Sequence, residues 1–517
     1  MGRRRRIAGV AVACLLAAAC GSTVPVQEQE AAEAAAEQGL TDGLAVDGTG
    51  GTVVGDDGSL GTGTGGASGS IVSGSGPASV DGSSGSVATG GGVTAPGENG
   101  PGVTDTTIKV GIMYTADYDQ ANAAIGAGAA TGIDMRRANE AMFDYINKER
   151  GGIGGRKAEI VFHPYRVLSS SSSDQQDQEA CAHWTQDDPV FISDGALKTE
   201  NGVACLEKAG TVMIASNGLR FKSGAFFERY PHYIEFDGID NDDISTMYVD
   251  SMVKLGYFSK DAKIGLLTWD NPEFSRPMQQ TLIPRLAKYG LEPTDVAYIK
   301  YPESNDEVGE SVAQVGNTAV RFKGEGITHV MFLDSGANLA FFFMPAAERQ
   351  EYRPRYGLTT QSGNTALADL LRSGGNDRDA RNQLHGAVSV GWSPTLDARA
   401  EDIPAWGNPP AKKRCYAIMR EAGVEMDSAN ARGIAEGICD TAFTMEATLE
   451  ASGEVLNQDT FLAGLNKVGP DDVEPTSGMG FAIGAARHDG TAYAAHMRFY
   501  DKCICFRYIS DRFAVPD

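Results

Sequence analysis

The sequence predicts an α/β protein built as two doubly wound parallel-sheet lobes. Three observations carry that prediction. Residues 105–517 alternate short β-rich runs with helical patterns, the alternation comes in two successive series, and run after run ends in Asp, Ser, Asn or Gly. Strands separated by helices build parallel sheets covered on both faces. Some 410 residues are too many for one hydrophobic core and natural for two.

In chain order, the first element is an address. "MGRRRR" is a basic stretch and "IAGVAVACLLAAA" an apolar run too short for a bilayer, which needs roughly 20 residues. Small residues then lead to Cys20. The pattern resembles a bacterial lipoprotein signal, with residues 1–19 removed and Cys20 carrying the lipid; Ala17 stands where such signals usually have leucine, and Leu16 lies one place earlier. Residues 20–104 are Gly, Ser, Thr and Ala with short acidic patches, a composition that cannot bury enough apolar surface to order itself. As a coil, that segment would span roughly 50 Å. Attachment to the membrane through the lipid alone is the expectation.

The first series of strands begins with "IKVGIM" from 108, followed by "AEIVFH" from 158, "VFIS" from 190 and "TVMIA" from 211. Between the first two lies "AMFDYINKERGGIGGRKAEIVFHPY". Its glycines beside basic residues suggest a phosphate loop, but such loops run from strand to helix. Here Met135, Ala138, Met142 and Tyr145 mark a helical face before the glycines, and a strand follows them. The loop is therefore a helix stop at Gly151 or Gly152 and a reversal into the sheet. The second series is "KIGLLT" from 263, "VAYIK" from 296, "THVMFL" from 328, "RYGLTT" from 355 and "GAVSVGW" from 386; "HMRFYDKCICFRYIS" reads as a closing strand pair.

Ligands of open parallel sheets sit at the carboxyl ends of the strands. Those ends carry Asp194, Gly195 and Ala196; Ser216, Asn217 and Gly218; Trp269, Asp270 and Asn271 with Phe274 nearby; Asp334 and Ser335; and Gln361 and Ser362. Each is also a good helix cap. Together they predict a polar cleft between the lobes.

After Cys20, six further cysteines lie in the exported part, and an even number in an exported chain reads as disulfides. Cys181 with Cys205, and Cys415 with Cys439, are pairings that would each contribute about 3 kcal/mol by loop closure, among 15 possible connectivities. Cys503 and Cys505, two apart in an expected strand, are held too far apart for an unstrained bridge. No His or Cys partners make this pair a metal site, and no cofactor motif stands out.

From 105 to 517 the chain resembles the type I periplasmic solute-binding proteins of the branched-chain amino acid (Leu/Ile/Val) branch that serve ABC importers. "IKVGIMYT" and "ATGIDMRRANEAMFDYINKERGGIGGRKAEIVFH" are similar to that family's first strand, long helix, glycine turn and second strand. "VFISDGALKTENGVACLEKAGTVMIASNG" is similar to its next segment. The resemblance implies two lobes joined by three crossings and closing on a solute like a hinge. Lobe 1 would comprise 105–234 plus 364–485, and lobe 2 would comprise 235–363 plus 486–517. It places Gly195, Ala196, Asn217 and Gly218 in the loops that hold a ligand carboxylate and Phe274 over the ligand. It also puts the uncharged Gln361 and Ser362 where the family has an acid for the ligand's ammonium. Tyr114, with Asp117 and Tyr118, would line the mouth, Asp270 would stand at a strand tip, and Asp334 would replace the missing acid. A disulfide Cys181–Cys205 is similar to one in the family's same lobe. The implied protein is a monomer, takes a small polar, amino-acid-like solute and hands it to an ABC permease, outside the cytoplasmic membrane.

Two other classes compete. A surface sensor would keep the fold without transport. An exported hydrolase would need a nucleophile elbow or a zinc helix, and neither G-x-S-x-G nor H-E-x-x-H occurs. The net charge of −24 excludes nucleic acid as a natural partner.

Overall fold

The computed structural model describes residues 97–124, 131–194, 197–215, 223–335, 338–373, 380–469, 472–484 and 487–516. The helix Met135–Glu149 shows how local sequence sets the architecture. Asp134 caps it by accepting from the Arg137 N–H at 3.1 Å, and Ala138, Met142, Phe143 and Ile146 form its buried stripe. It stops at Gly151 and Gly152, both at φ +82°, a conformation glycine adopts without steric cost. A β-carbon on Gly152 would stand 2.2 Å from the Arg156 carbonyl. The glycine loop is thus a reversal from helix to strand. Arg156 is committed to two backbone carbonyls, Thr104 at 2.8 Å and Glu454 at 2.7 Å, strapping the start of the folded region to the end of a distant helix.

The first sheet contains β1 (Thr107–Thr115), β2 (Lys157–Tyr165), β3 (Ile192–Asp194), β4 (Val212–Ala215) and β5 (Tyr233–Glu235). All are parallel, in the order β2-β1-β3-β4-β5. The second sheet contains β6 (Ile264–Asp270), β7 (Pro293–Lys300), β8 (His329–Leu333), β9 (Arg355–Thr359) and β10 (Val388–Gly391), extended by β11 (Tyr493–Tyr500) and β12 (Cys505–Tyr508). Its order is β12-β11-β10-β9-β8-β6-β7. The last two strands run antiparallel to their neighbours, and β13 (Phe513–Ala514) pairs with β11. β5 and β13, of three and two residues, are additions to the expected strands. β4 and β8 are buried along their whole length, as strands covered by helices on both faces must be.

Each lobe has its own core. Ile112, Met142, Ile192, Ile214, Cys439 and Met445 belong to the core on one face of the first sheet; Met113, Trp184, Val203 and Phe226 form a second cluster in the same lobe. Leu266, Phe332, Tyr356, Leu367 and Val390 belong to the core of the other lobe. One expected boundary changes. Residues 364–391, expected to return to lobe 1, stay with the second sheet: Leu367, Leu371 and Leu384 pack in its core and β10 pairs with β9. The return comes later, between Ala398 in the second core and Cys415 in the first.

The other two crossings, 236–240 and 487–492, lie side by side. Glu235 N–H donates to the His488 carbonyl at 2.8 Å, Gly490 N–H to Glu235 at 2.8 Å, and Thr491 N–H to Gly238 at 3.1 Å. Asp240 N–H donates to the Asp489 carboxylate at 3.0 Å.

Cys181–Cys205 and Cys415–Cys439 are bonded pairs. Cys503 and Cys505 are bonded as well, against the sequence expectation. That expectation assumed a strand through both. Residues 501–504 instead form a turn with Ile504 at φ +49°, which folds the two sulfurs back toward each other.

Candidate ligand-binding site

The loops that leave the carboxyl ends of the two sheets meet. Ser173 follows β2, and its N–H donates to the carbonyl of Glu303, which follows β7, at 3.2 Å. Ser223 follows β4, and its hydroxyl donates to the carboxylate of Glu273, which follows β6. Arg229 reaches the other oxygen of Glu273 at 3.4 Å. These contacts bring the strand ends of both sheets to one shared crevice, where doubly wound sheets place their ligands.

Of the residues picked from the sequence, Gly195, Ala196, Asn217 and Gly218 lie outside the described residues, as does Cys20. Tyr114, next to last in β1, is half-buried, edge-on to Phe162 at 5.8 Å, with the Arg136 guanidinium over both rings. Asp270 is exposed at the tip of β6. Phe274, one helical turn on, is 1% exposed and packs into the core of the second lobe. Gln361 and Ser362 follow β9. Ser362 is buried, and its hydroxyl accepts from the Thr359 N–H as half of a capping box.

Asp334 follows β8 and is 3% exposed. One carboxylate oxygen accepts from Trp269 Nε1 at 2.7 Å and Ser335 N–H at 2.6 Å, the other from Leu339 N–H at 2.8 Å. Burial still pushes its pKa up to about 7. These donors, with the Ala340 N–H, make it a brace between strand tip and helix start. Asp334→Ala would leave these buried N–H groups unpaired, so we expect a loss of about 3 kcal/mol, read as a lowered denaturant midpoint.

Of a set of acids at the first lobe's edge, only Asp194 was singled out from the sequence. Asp194 ends β3, Glu235 ends β5, and Asp237 lies in the first crossing. Burial raises Asp194 to about 7; Lys198 opposes the rise, while Asp237 and Glu235 add to it through their negative charge. Asp237 also acts on Asp440, whose carboxyl burial pushes well up even though Thr476 donates to it twice. Glu273, across the crevice, is raised by burial, with Ser223, Arg229 and Arg276 opposing. The signal available in sequence was an acid closing each of the short runs "FISD" and "YIE", which reads equally as a helix cap. Among the described residues, no group of three or more His, Cys, Asp or Glu is arranged to hold a metal ion.

Two parallel-sheet lobes, joined by three crossings and opposed at their strand ends, have the architecture of a protein that holds a ligand between its lobes. Residues 107–500 match the family model described as periplasmic binding protein, and the chain belongs to that family. The family is extracytoplasmic, binds small-molecule solutes without transforming them, and works with ABC transporter permeases. No curated protein matches the chain by sequence. Among solved structures, it is similar to a solute-binding protein of an ABC transporter from Rhodopseudomonas palustris BisB5, in complex with 3,4-dihydroxybenzoic acid. The identity is 15% and the TM-score 0.55, over 80% of this chain and 99% of that one. It is also similar to a fatty acid ABC transporter substrate-binding protein from Thermomonospora curvata (16%, TM-score 0.56, 81% and 95%). A third is a leucine-binding protein from Thermotoga maritima (13%, TM-score 0.52, 78% and 98%). At these identities the likeness is one of fold. Among the described residues, no helix is long and apolar enough to cross a membrane.

Proposed function

We propose that the protein is a lipid-anchored, extracytoplasmic receptor that closes on a small polar solute carrying a positively charged nitrogen and delivers it to an ABC importer. The observation that supports the solute class is Asp194, at the end of β3, whose carboxyl burial raises to about 7, with Lys198 opposing and the charges of Asp237 and Glu235 adding. A carboxyl held near neutrality by burial and like charge gains most from a cation, which restores its ionised form. An amino-acid-like solute fits this edge through its ammonium. Its carboxylate would fall to backbone N–H groups of the loops containing Gly195, Ala196, Asn217 and Gly218, with Tyr114, Asp270 and Gln361 at the rim. The leucine complexed by a Desulfitobacterium hafniense relative of this fold is of that class. The aromatic and fatty acids of other relatives lack the ammonium.

Native mass spectrometry of the full chain, followed by a thermal-shift screen, tests the solute class. A bound amine at 100 times its dissociation constant should add about 2.7 kcal/mol. Stabilisation by 4-hydroxybenzoate or a fatty acid but by no amine would sink the proposal. Anchoring is tested separately: radiolabelled palmitate should enter the wild type and not Cys20→Ala. Loss of uptake of the identified solute in a deletion strain distinguishes transport from sensing.

A further inference from the structure

We propose that Glu273 is an interlobe latch, gripped by Ser223 and Arg229, that favours the closed form before any solute arrives. The grip spans the crevice: Ser223 and Arg229 belong to the first lobe, where Phe226 and Phe227 of the intervening helix pack in a core cluster. Glu273 belongs to the second, beside Phe274 in the other core.

Both sides of the latch are positioned in advance. Ser223 caps the helix Gly224–Arg229, accepting from the Phe226 N–H at 3.2 Å while its own proton goes to Glu273. The Arg229 guanidinium donates to the Ala225 carbonyl at 3.0 Å and to Glu200 at 3.0 Å, and lies over the rings of Phe226 and Tyr230. Glu273 has its N–H bound by the Asn271 side chain and its carbonyl by Asn241 Nδ2, both at 2.8 Å. Little freedom of the Ser223 and Arg229 side chains, or of the Glu273 backbone, is left to lose when the lobes meet, which helps a polar contact keep its strength.

Glu273 is 6% exposed, whereas the Arg229 side chain is 46% exposed. A buried carboxylate without its hydroxyl donor is costly, so Ser223 carries more of the latch than the arginine does. The contact exists only when the two strand edges meet, so its free energy is differential between closed and open forms, the requirement for shifting a population.

Electron–electron distance measurements on the full chain test this without any solute added. Spin labels go on Val167→Cys in the first lobe and Val320→Cys in the second, both exposed positions. The unsubstituted latch should give a short-distance population. Glu273→Ala and Ser223→Ala should each lower the closed-to-open ratio by about tenfold. Arg229→Met should lower it less. Glu273→Gln should retain most of the short distance, because its amide oxygen still accepts from Ser223, and this rescue would not follow from a merely structural defect. Melting curves identify any variant that fails to fold, and Ser223→Ala, with one atom removed, then decides. A fully open distribution in the parent, or one unchanged by both alanine variants, overturns the latch. The solute class proposed above stands or falls independently, since no ligand enters this measurement.

Discussion

Gly490→Ala should destabilise the protein by about 3–5 kcal/mol, among the largest effects expected of a single methyl group. Gly490 lies in the third crossing, and a β-carbon there would stand 1.7 Å from the carbonyl oxygen of Phe236 and 2.4 Å from its carbon. Those atoms are backbone in the first crossing, so no side-chain rotation can relieve the overlap. The two crossings would have to separate, and with them would go the bonds Gly490 N–H to Glu235 and Thr491 N–H to Gly238. The same stretches of chain join the two lobes, so the variant should also change how the lobes are held against each other. Gly484→Ala is the matched control: it precedes the same crossing and has nothing within 4 Å of the added carbon. It should fall within about 0.5 kcal/mol of the parent. Chemical denaturation of the two variants side by side reads the difference. Equal midpoints would mean that the crossings do not run in contact.

Such a close approach could not be read from the sequence, although much else could. The strands were legible because buried parallel strands are unbroken apolar runs closed by polar caps, as in "THVMFLDS" and "KIGLLTWD". The glycine loop after Glu149 was legible because the order helix–loop–strand is local. The assignment of 364–391 to a lobe was not. "NTALADLLRS" shows an apolar face, but which of two cores receives Leu367 and Leu371 is a tertiary outcome with no local signature. The pair Cys503 and Cys505 misled for a related reason: a β-branched Ile504 between them favours a strand, and tertiary context overrides it with a left-handed turn. At the site, Asp334 and Ser362 could be caps or ligands on sequence grounds, and their hydrogen bonds are those of caps. Ser223 and Glu273 are 50 positions apart, and neither residue's neighbourhood announces the other.

Stability should rise as pH falls from 8 to about 6.5, then change less steeply. Asp194, already placed near 7, and three further buried carboxyls set the first limb. Burial pushes Asp240 up to about 8, reinforced by the charges of Asp242, Asp243 and Asp489 and opposed by the Asp242 N–H. Burial brings Asp334 to about 7 against three backbone donors and Trp269. Burial brings Asp397 to about 6 against Tyr508, Thr360, Ser393 and Asn364. The unfolded values lie near 4, so between roughly pH 4 and these folded values the folded chain holds the extra protons. Stability therefore falls as pH rises through that window. From pH 6.5 to 8 the four groups together should cost about 3 kcal/mol.

Histidines flatten the other limb. Burial depresses His329, with Arg355 adding to the effect, and takes His496 down to about 4, with Lys254 adding. Below roughly pH 6.5 the unfolded chain binds protons that these rings refuse, which offsets part of the stability the carboxyls gain on further acidification. Repulsion within a chain of net charge −24 also weakens as acids are neutralised, and 0.5 M salt should suppress that contribution while leaving the buried groups. Melting temperatures in high salt should therefore fall from about pH 6.5 to 8.5 and change less steeply between about 5 and 6.5. Asp240→Asn keeps an oxygen to accept from the Asp242 N–H but cannot titrate, so it should flatten much of the alkaline limb. A melting temperature that rises steadily from pH 6.5 to 8 would show that these carboxyls are solvated and that the crossing and strand-tip braces are looser than their hydrogen bonds imply.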